Sequence, residues 1–400
     1  MLRKSVLTDP AFMADPVPHV EALQRQGPFV RSRLPIIGEV WLATTQEALA
    51  AVLKDNEHFS MRRGDGNVTG VQWWMPKTIR LLANNMLTMD EPDHRRLRSL
   101  VDVVFRRDAV MALEPRVDAM ADQLATELFS DGEPADLQMR FARALPLAVI
   151  CEMLGIREAD RVRFSQWAER LTTVNGVFGF LAAMPGISKM RRYLADEIAR
   201  QRHEPGEGLI GELVKMQSDG ANISDDELTA MIFLLLVAGH ETTTHVITGG
   251  VYELLSRPGQ VEWLMAEESR MALAVEELLR VVSAVQFTKP RNVCRDIELF
   301  GSRLAKGDVV MPMIVGANYD PAAIDAPAKL DLGRRPNRHV AFGAGIHFCL
   351  GHQLARLEIA CGLRALFSRW PGLALADPNA VRWRARAGIR ALDGLMVVRG

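Results

Sequence analysis

The chain has 400 residues, enough for one large domain or two to three domains of the usual ~150 residues. Its 48 Lys and Arg balance 49 Asp and Glu, a net charge of −1, which excludes a general nucleic-acid-binding role because that needs a basic excess. Hydrophobic residues at 48% and charged residues at 24% exclude disorder, and 19 methionines against 6% aromatics describe a polarisable, adaptable interior.

The basic start runs into Asp9 and Pro10 instead of an apolar core, so no signal peptide is expected. A helix is predicted over 45–55, opened by a Thr45 cap, and further helices over 108–129, 141–154 and 158–174. The longest predicted helix covers 224–255. Ser224 and Glu227 form a capping box at its start, and its apolar run places it through the centre of the protein. That run, 228–239, is shorter than the ~20 residues of a bilayer-spanning helix, so no membrane span is expected and the cytoplasm is the expected location. Another helix is predicted over 260–281. Two strands follow between 291 and 314, joined by a turn at Lys306 and Gly307, and a closing hairpin is predicted around Asp393 and Gly394. The chain therefore reads as mainly α, with small sheets at its edges and too few strands for a doubly wound fold. The four cysteines, Cys151, Cys294, Cys349 and Cys361, form no CxxC pair and are expected as free thiols.

The strongest chemical signal is the segment 341–358, AFGAGIHFCLGHQLARLE. Gly343 and Gly345 permit a tight loop, and Cys349 falls at the start of a helix, where the dipole and free N–H groups favour a thiolate. A dinucleotide fingerprint fails because its third glycine position is Phe348. Glu277 and Arg280, three apart, lie on one face of a helix and can pair, and His94 and Arg98, four apart, face the same way. Glu241 within the apolar helix is costly unless it has a purpose. A zinc-protease HExxH reading of His240 and Glu241 fails because residue 244 is Thr244.

The segment resembles the haem-binding loop of the cytochrome P450 family, F-G-x-G-x-H-x-C-x-G, at Phe342, Gly343, Gly345, His347, Cys349 and Gly351. The resemblance implies the cytochrome P450 fold: a large helical domain with small peripheral β-sheets, and haem b between the long central helix and the helix that follows the cysteine. It implies one haem domain over 1–400, with no fused reductase or ferredoxin module. Cys349 would be the iron ligand, with Phe342 packed beneath it. Glu277 and Arg280 match the family's E-x-x-R and, with Arg334, would brace the cysteine loop. The stretch AGHETT matches A-G-x-[DE]-T: Gly239 would let the helix widen, and Glu241 and Thr242 would form the acid–alcohol pair that delivers protons. His94 and Arg98 match H-x-x-x-R and, with Arg291 and His347, would hold the two propionates.

The activity so implied is a haem-thiolate monooxygenase that inserts one oxygen atom of O2 into a small molecule. Electrons would come from NAD(P)H through a separate ferredoxin reductase and ferredoxin. Arg95, Arg96, Arg106, Arg107 and Arg356 would form a docking patch, or else are scattered surface arginines. The family's pocket positions carry Val71, Trp73, Trp74, Met75, Leu234, Leu235, Ala238, Val285, Phe287 and Leu392, with Gln286 as the polar candidate. Each also fits core packing, but their apolar character implies a neutral or largely hydrophobic substrate. The Glu241–Thr242 pair weighs against two rivals, a haem sensor or carrier and a peroxide-driven hydroxylase.

Overall fold

The computed structural model describes residues 9–34, 37–64, 66–69, 76–161, 163, 167, 176–384 and 388–400. The expected pocket residues Val71, Trp73, Trp74 and Met75, and most of the expected helix over 158–174, lie outside them.

The helix Asp225–Leu255 runs through the core as 31 unbroken residues. The predicted capping box closes it: the Ser224 hydroxyl accepts from the Glu227 N–H, and the Glu227 carboxylate accepts from the Ser224 N–H at 2.9 Å. Asp225, Asp226 and Glu227 complement the dipole in its first turn. It is long enough to cross a bilayer, but its sides are packed against the helices Ala144–Leu154, Gly176–His203, Ser269–Val282 and His352–Arg369. It is a core helix, which is why it is apolar all round.

The other predicted helices are shorter than the periodicity implied. The stretch 108–129 divides into Arg107–Met111 and Glu114–Glu127, because Pro115 lacks the N–H an interior position needs and instead occupies a first-turn position. The stretch 260–281 divides into Gln260–Met265 and Ser269–Val282. The helix Ala144–Leu154 follows a π-helical turn, Gln138–Ala142, and stops at Gly155, whose φ of 77° is left-handed. The expected helix over 45–55 is present as Gln46–Lys54, with the Thr45 hydroxyl accepting from the Ala48 N–H.

Among the described residues ten short strands complete the fold: β1 Phe29–Leu34, β2 Gly38–Ala43, β3 Phe59–Ser60, β4 Ala135–Asp136, β5 Arg291–Val293, β6 Ile297–Leu299, β7 Ser302–Leu304, β8 Val309–Pro312, β9 Ala374–Leu375 and β10 Met396–Val398. They form a five-stranded sheet ordered β1-β2-β8-β5-β3, a three-stranded sheet β4-β10-β9 and the hairpin β6-β7. The β2–β8 pair is parallel, and every other pair is antiparallel.

Two turns differ from expectation. The Lys306–Gly307 turn joins β7 to β8, while β6 turns back earlier at Phe300 and Gly301, which take positive φ of 50° and 73°. The last hairpin reverses before Asp393: Arg384 N–H donates to Ala391 O and Asp393 N–H to Arg382 O, both at 2.9 Å. Gly394 instead donates to Gln138 Oε1 at 2.8 Å, and the chain leaves to form β10.

Candidate active site

The cysteine loop is set by backbone bonds. Gly343 N–H donates to Val340 O at 2.8 Å, and Cys349 N–H to Phe342 O at 2.9 Å, before the chain enters the helix His352–Arg369. Gly345, at φ +71°, lies so close to the helix Gln46–Lys54 that a Cβ there would stand 2.0 Å from Leu53 O. Only glycine permits that approach. Arg98 clamps the loop from the other side, donating to Phe348 O at 2.8 Å and Ile346 O at 3.2 Å.

Desolvation raises the Cys349 thiol above its ordinary range; the Gly351 N–H bonded to it and the nearby Arg98 and Arg356 charges pull the other way without winning. Binding to a metal ion would overcome that preference and leave the thiolate. Cys361, on the same helix, is buried elsewhere, near Glu114, Asp118 and Arg364.

Glu277, Arg280 and Arg334 come together in one buried cluster. Glu277 and Arg280 are fully buried and joined by two bonds of 2.7 and 2.8 Å. Arg334 Nε reaches the same carboxylate at 3.0 Å, as does Asn337 Nδ2, while the Asp331 N–H donates to it at 2.9 Å. The guanidiniums' remaining donors go to the carbonyls of Asn318, Asp325, Ala326, Pro327 and Lys329. Burial alone would raise the Glu277 pKa, but these bonds hold it below the ordinary carboxylate value.

A second brace went unseen in the sequence. Glu276 accepts from Arg356 at 2.5 and 2.9 Å and lies 2.8 Å from His339 Nε2. The Arg356 guanidinium also lies 4.5 Å from the centre of the Phe342 ring. Arg356 is therefore tied into the loop's support and is not a free docking cation. Arg96 is likewise held by Glu227 and Asp93, while Arg106 and Arg107 remain exposed.

A cavity of about 1270 Å³ opens between the central helix, the cysteine loop and the segment leading into β5. That exceeds the ~300–1,000 Å³ of a pocket for one ligand. All the expected cofactor residues line it: His94, Arg98, Arg291, Phe342, Gly343, His347, Cys349 and Gly351. So do Thr242, Leu234, Leu235, Ala238, Val285 and Phe287. Glu241, Gln286 and Leu392 do not. The bridges of Val285 to Ile389 and Phe287 to Met313 hold residues 285–287 extended, so side chains alternate there and Gln286 turns away from both neighbours. Leu392 packs in the core, and because the hairpin reverses earlier than expected, Gly388 and Ile389 take its place on the wall. Glu241 sits beside buried His240 on another face of the helix from Thr242. The expected widening at Gly239 is not seen: the helix is regular there, and the Thr242 hydroxyl donates to Ala238 O at 3.0 Å.

Whether these residues fit haem is tested by their unused donors. Arg291 Nη1 and His347 Nε2 are buried and have no hydrogen-bond partner, and His94 Nδ1 has only the Glu91 carboxylate at 3.6 Å. The rings of His94 and His347 meet edge to face at 4.4 Å. Desolvation, then the Arg291 charge, push His347 down to about 3, and desolvation with Arg98 lowers His94 against the opposing pull of Glu91 and Asp90. An anionic carboxylate would satisfy the Arg291 donor and favour the charged imidazoles, in which both ring nitrogens donate, and the one cavity-lining cysteine among the described residues supplies the soft ligand. The group fits.

The sequence reading also missed Glu358. It lines the cavity from the cysteine-side helix, is 1% exposed and has no partner for Oε1. Desolvation, only partly offset by a bond from Thr243, pushes it up to about 8, so it holds a proton at neutral pH.

Comparison with known proteins agrees with this geometry. The cytochrome P450 family model matches residues 183–371. The cytochrome P450 monooxygenase PikC of Streptomyces venezuelae is 36% identical over 390 residues, covering 96% of this chain and 91% of that protein. The vitamin D(3) 25-hydroxylase of Pseudonocardia autotrophica is 37% identical over 399 residues, covering 97% and 95%. The solved structure of the Bacillus subtilis cytochrome P450 PksS matches with a TM-score of 0.89 and 33% identity, over 100% of both chains. With a cysteine loop, a buried brace and a wall of arginines and imidazoles round one cavity, the chain belongs to the cytochrome P450 family and is a monooxygenase whose haem is ligated by a cysteine thiolate.

Proposed function

We propose that Cys349 is the haem ligand and that this enzyme oxidises an apolar small molecule held between Leu234, Leu235, Ala238, Val285 and Phe287. The carrying observation is the meeting, in one cavity, of Cys349 with the unpartnered Arg291 donor and the buried imidazoles of His94 and His347. Arg98, Arg291, His94 and His347 hold the propionates, and Phe342 packs beside the cysteine. When bound, haem supplies the iron centre at which O2 is split, one atom passing to substrate and the other to water.

The chain's own residues do the rest. Glu277, Arg280 and Arg334 fix the loop from behind, and Glu276 with Arg356 fixes the helix after it. The Thr242 hydroxyl, at the cavity wall, passes protons to the reacting oxygen. Glu241 supplies that hydroxyl from the buried side of the helix, and Glu358, protonated at neutral pH, is a second reserve. The apolar walls exclude water and hold the substrate. Names among the relatives, a vitamin D(3) hydroxylase and a polyketide-biosynthesis P450, support a hydrophobic substrate.

Electrons arrive from a separate ferredoxin and its NAD(P)H-dependent reductase. Exposed Arg106 and Arg107, with exposed Val103 and Phe348, suit an acidic partner with an apolar centre. The test is the ferrous–CO difference spectrum, followed by turnover with ferredoxin, reductase and NAD(P)H. A thiolate-type Soret band and product formation dependent on both partners are expected. A band of the histidine-ligated type would overturn the assignment of the ligand.

A further inference from the structure

Residues 285–291 are drawn out along the cavity, held by bridges from Val285 to Ile389 and from Phe287 to Met313 before β5 begins. Val285, Phe287, Thr288, Lys289, Pro290 and Arg291 all line the cavity. Along this wall come two apolar groups, then the Lys289 ammonium, then the guanidinium assigned to a propionate.

Lys289 stands apart from the other cations. Arg98 is bonded to the cysteine loop, and Arg291 feels the Asp90 charge. Lys289 has no ion pair and no side-chain hydrogen bond among the described residues; only its backbone oxygen accepts, from the Thr288 hydroxyl at 3.1 Å. Its side chain is exposed by area, yet desolvation alone lowers the ammonium's pKa. Both hold when the surface opens onto the interior of the cavity and not onto bulk water. A desolvated cation with no counter-charge is destabilising until an anion joins it.

We propose that Lys289 is a specificity-determining residue that anchors a single carboxylate of the substrate. A dianionic phosphate would leave one charge uncompensated on this lone ammonium, whereas a carboxylate matches it. Phe287 precedes Lys289 by two residues on the same cavity wall, so the body of the same molecule lies on the apolar wall. The substrate class is an amphiphile, a bulky or long apolar body ending in one carboxylate. The other carboxylate at hand is a haem propionate. Arg98, Arg291, His94 and His347 already provide for both propionates, which leaves Lys289 to the substrate. The inference rests on the haem-monooxygenase reading above.

The experiment uses haem-loaded enzyme and reads the spin-state shift on titration with tetradecanoic acid and 1-tetradecanol, and with 1-adamantaneacetic acid and 2-(1-adamantyl)ethanol. The wild type is expected to bind at least one acid ~10–100-fold tighter than its alcohol. Lys289→Met should abolish that preference while the CO spectrum and haem content stay unchanged. Lys289→Glu should move the preference to 1-aminotetradecane. The proposal is overturned if neither acid binds, if acid and alcohol bind alike, or if the preference survives in Lys289→Met. It is also overturned if Lys289→Met loses haem and weakens both probes together, because the carboxylate would then be a propionate. A wild-type protein lacking the thiolate-type CO band would instead remove the parent reading, and the two failures are told apart by that spectrum.

Discussion

At the scale of single residues, the two cysteines of the helix His352–Arg369 region make the sharpest contrast. Cys349 lines the cavity, and Cys361 faces Asp118 and Arg364. Cys349→Ser should abolish the thiolate-type CO band, whereas Cys361→Ala should leave it intact; the reverse result would exchange their roles. Thr242→Ala removes a hydroxyl and leaves the apolar walls, so substrate-induced spectral shifts should survive. The ratio of product to NAD(P)H consumed should fall steeply, with H2O2 appearing instead, since proton assistance is typically worth about 10²–10⁴-fold. Unchanged coupling would remove Thr242 from the proton path. Cys349, Glu277 and His94 were legible because each belongs to a local motif. Glu358, Glu276 and Lys289 were not. Glu276 meets partners 63 and 80 residues away, and Lys289 is distinguished only by the cavity it faces.

At the scale of elements, the Glu277 carboxylate gathers the helix Ser269–Val282 and the 331–337 segment onto one point. Glu277→Ala strands two buried guanidiniums, a loss of about 3–5 kcal/mol. Haem-free or aggregated protein is expected. A soluble, fully haem-loaded variant with wild-type melting would show that the hub is dispensable. Ser224→Ala removes one cap at the far end of the central helix and should lower stability by about 1 kcal/mol with no change in the haem spectrum. Long helices with caps were readable from the chain, as Gln46–Lys54 and Asp225–Leu255 show. Interruptions were harder: Pro115 carries a readable signal, but nothing in the run Ala266–Glu267–Glu268 marks where one helix stops and the next begins. The β6–β7 turn escaped because Phe300 occupies a left-handed position that asparagine or glycine would have announced.

Across the whole molecule, the braces make stability depend on acid. Burial would raise Glu276, but Arg356 and His339 overcome it and bring its pKa down to about 2. A carboxylate depressed in the folded state stabilises above its unfolded value near 4.5, and that contribution is lost as pH falls toward 2. Glu277 acts in the same direction. Melting temperature should therefore drop between about pH 4.5 and 2, and Glu276→Gln, less stable at pH 7, should show a shallower decline by about 3 kcal/mol at most. Equal slopes in both proteins would place the acid sensitivity elsewhere. The general architecture, helices round one central helix with sheets at the margin, followed from composition and periodicity. The pairing of β2 with β8, more than 260 residues apart in the chain, did not, because strand partners carry no local signature.

The unpartnered Arg291 donor and the buried imidazoles of His94 and His347 also bear on how the protein comes to be made. On the proposed assignment the propionates complete this wall, so haem would bind the folded chain and have little to hold in the unfolded one. Folding and cofactor supply then form a single mass-action equilibrium, in which each tenfold rise in free haem above its dissociation constant adds about 1.4 kcal/mol to stability. A cell short of haem would accumulate this polypeptide as a target for proteases, and a cell well supplied would accumulate enzyme from the same message.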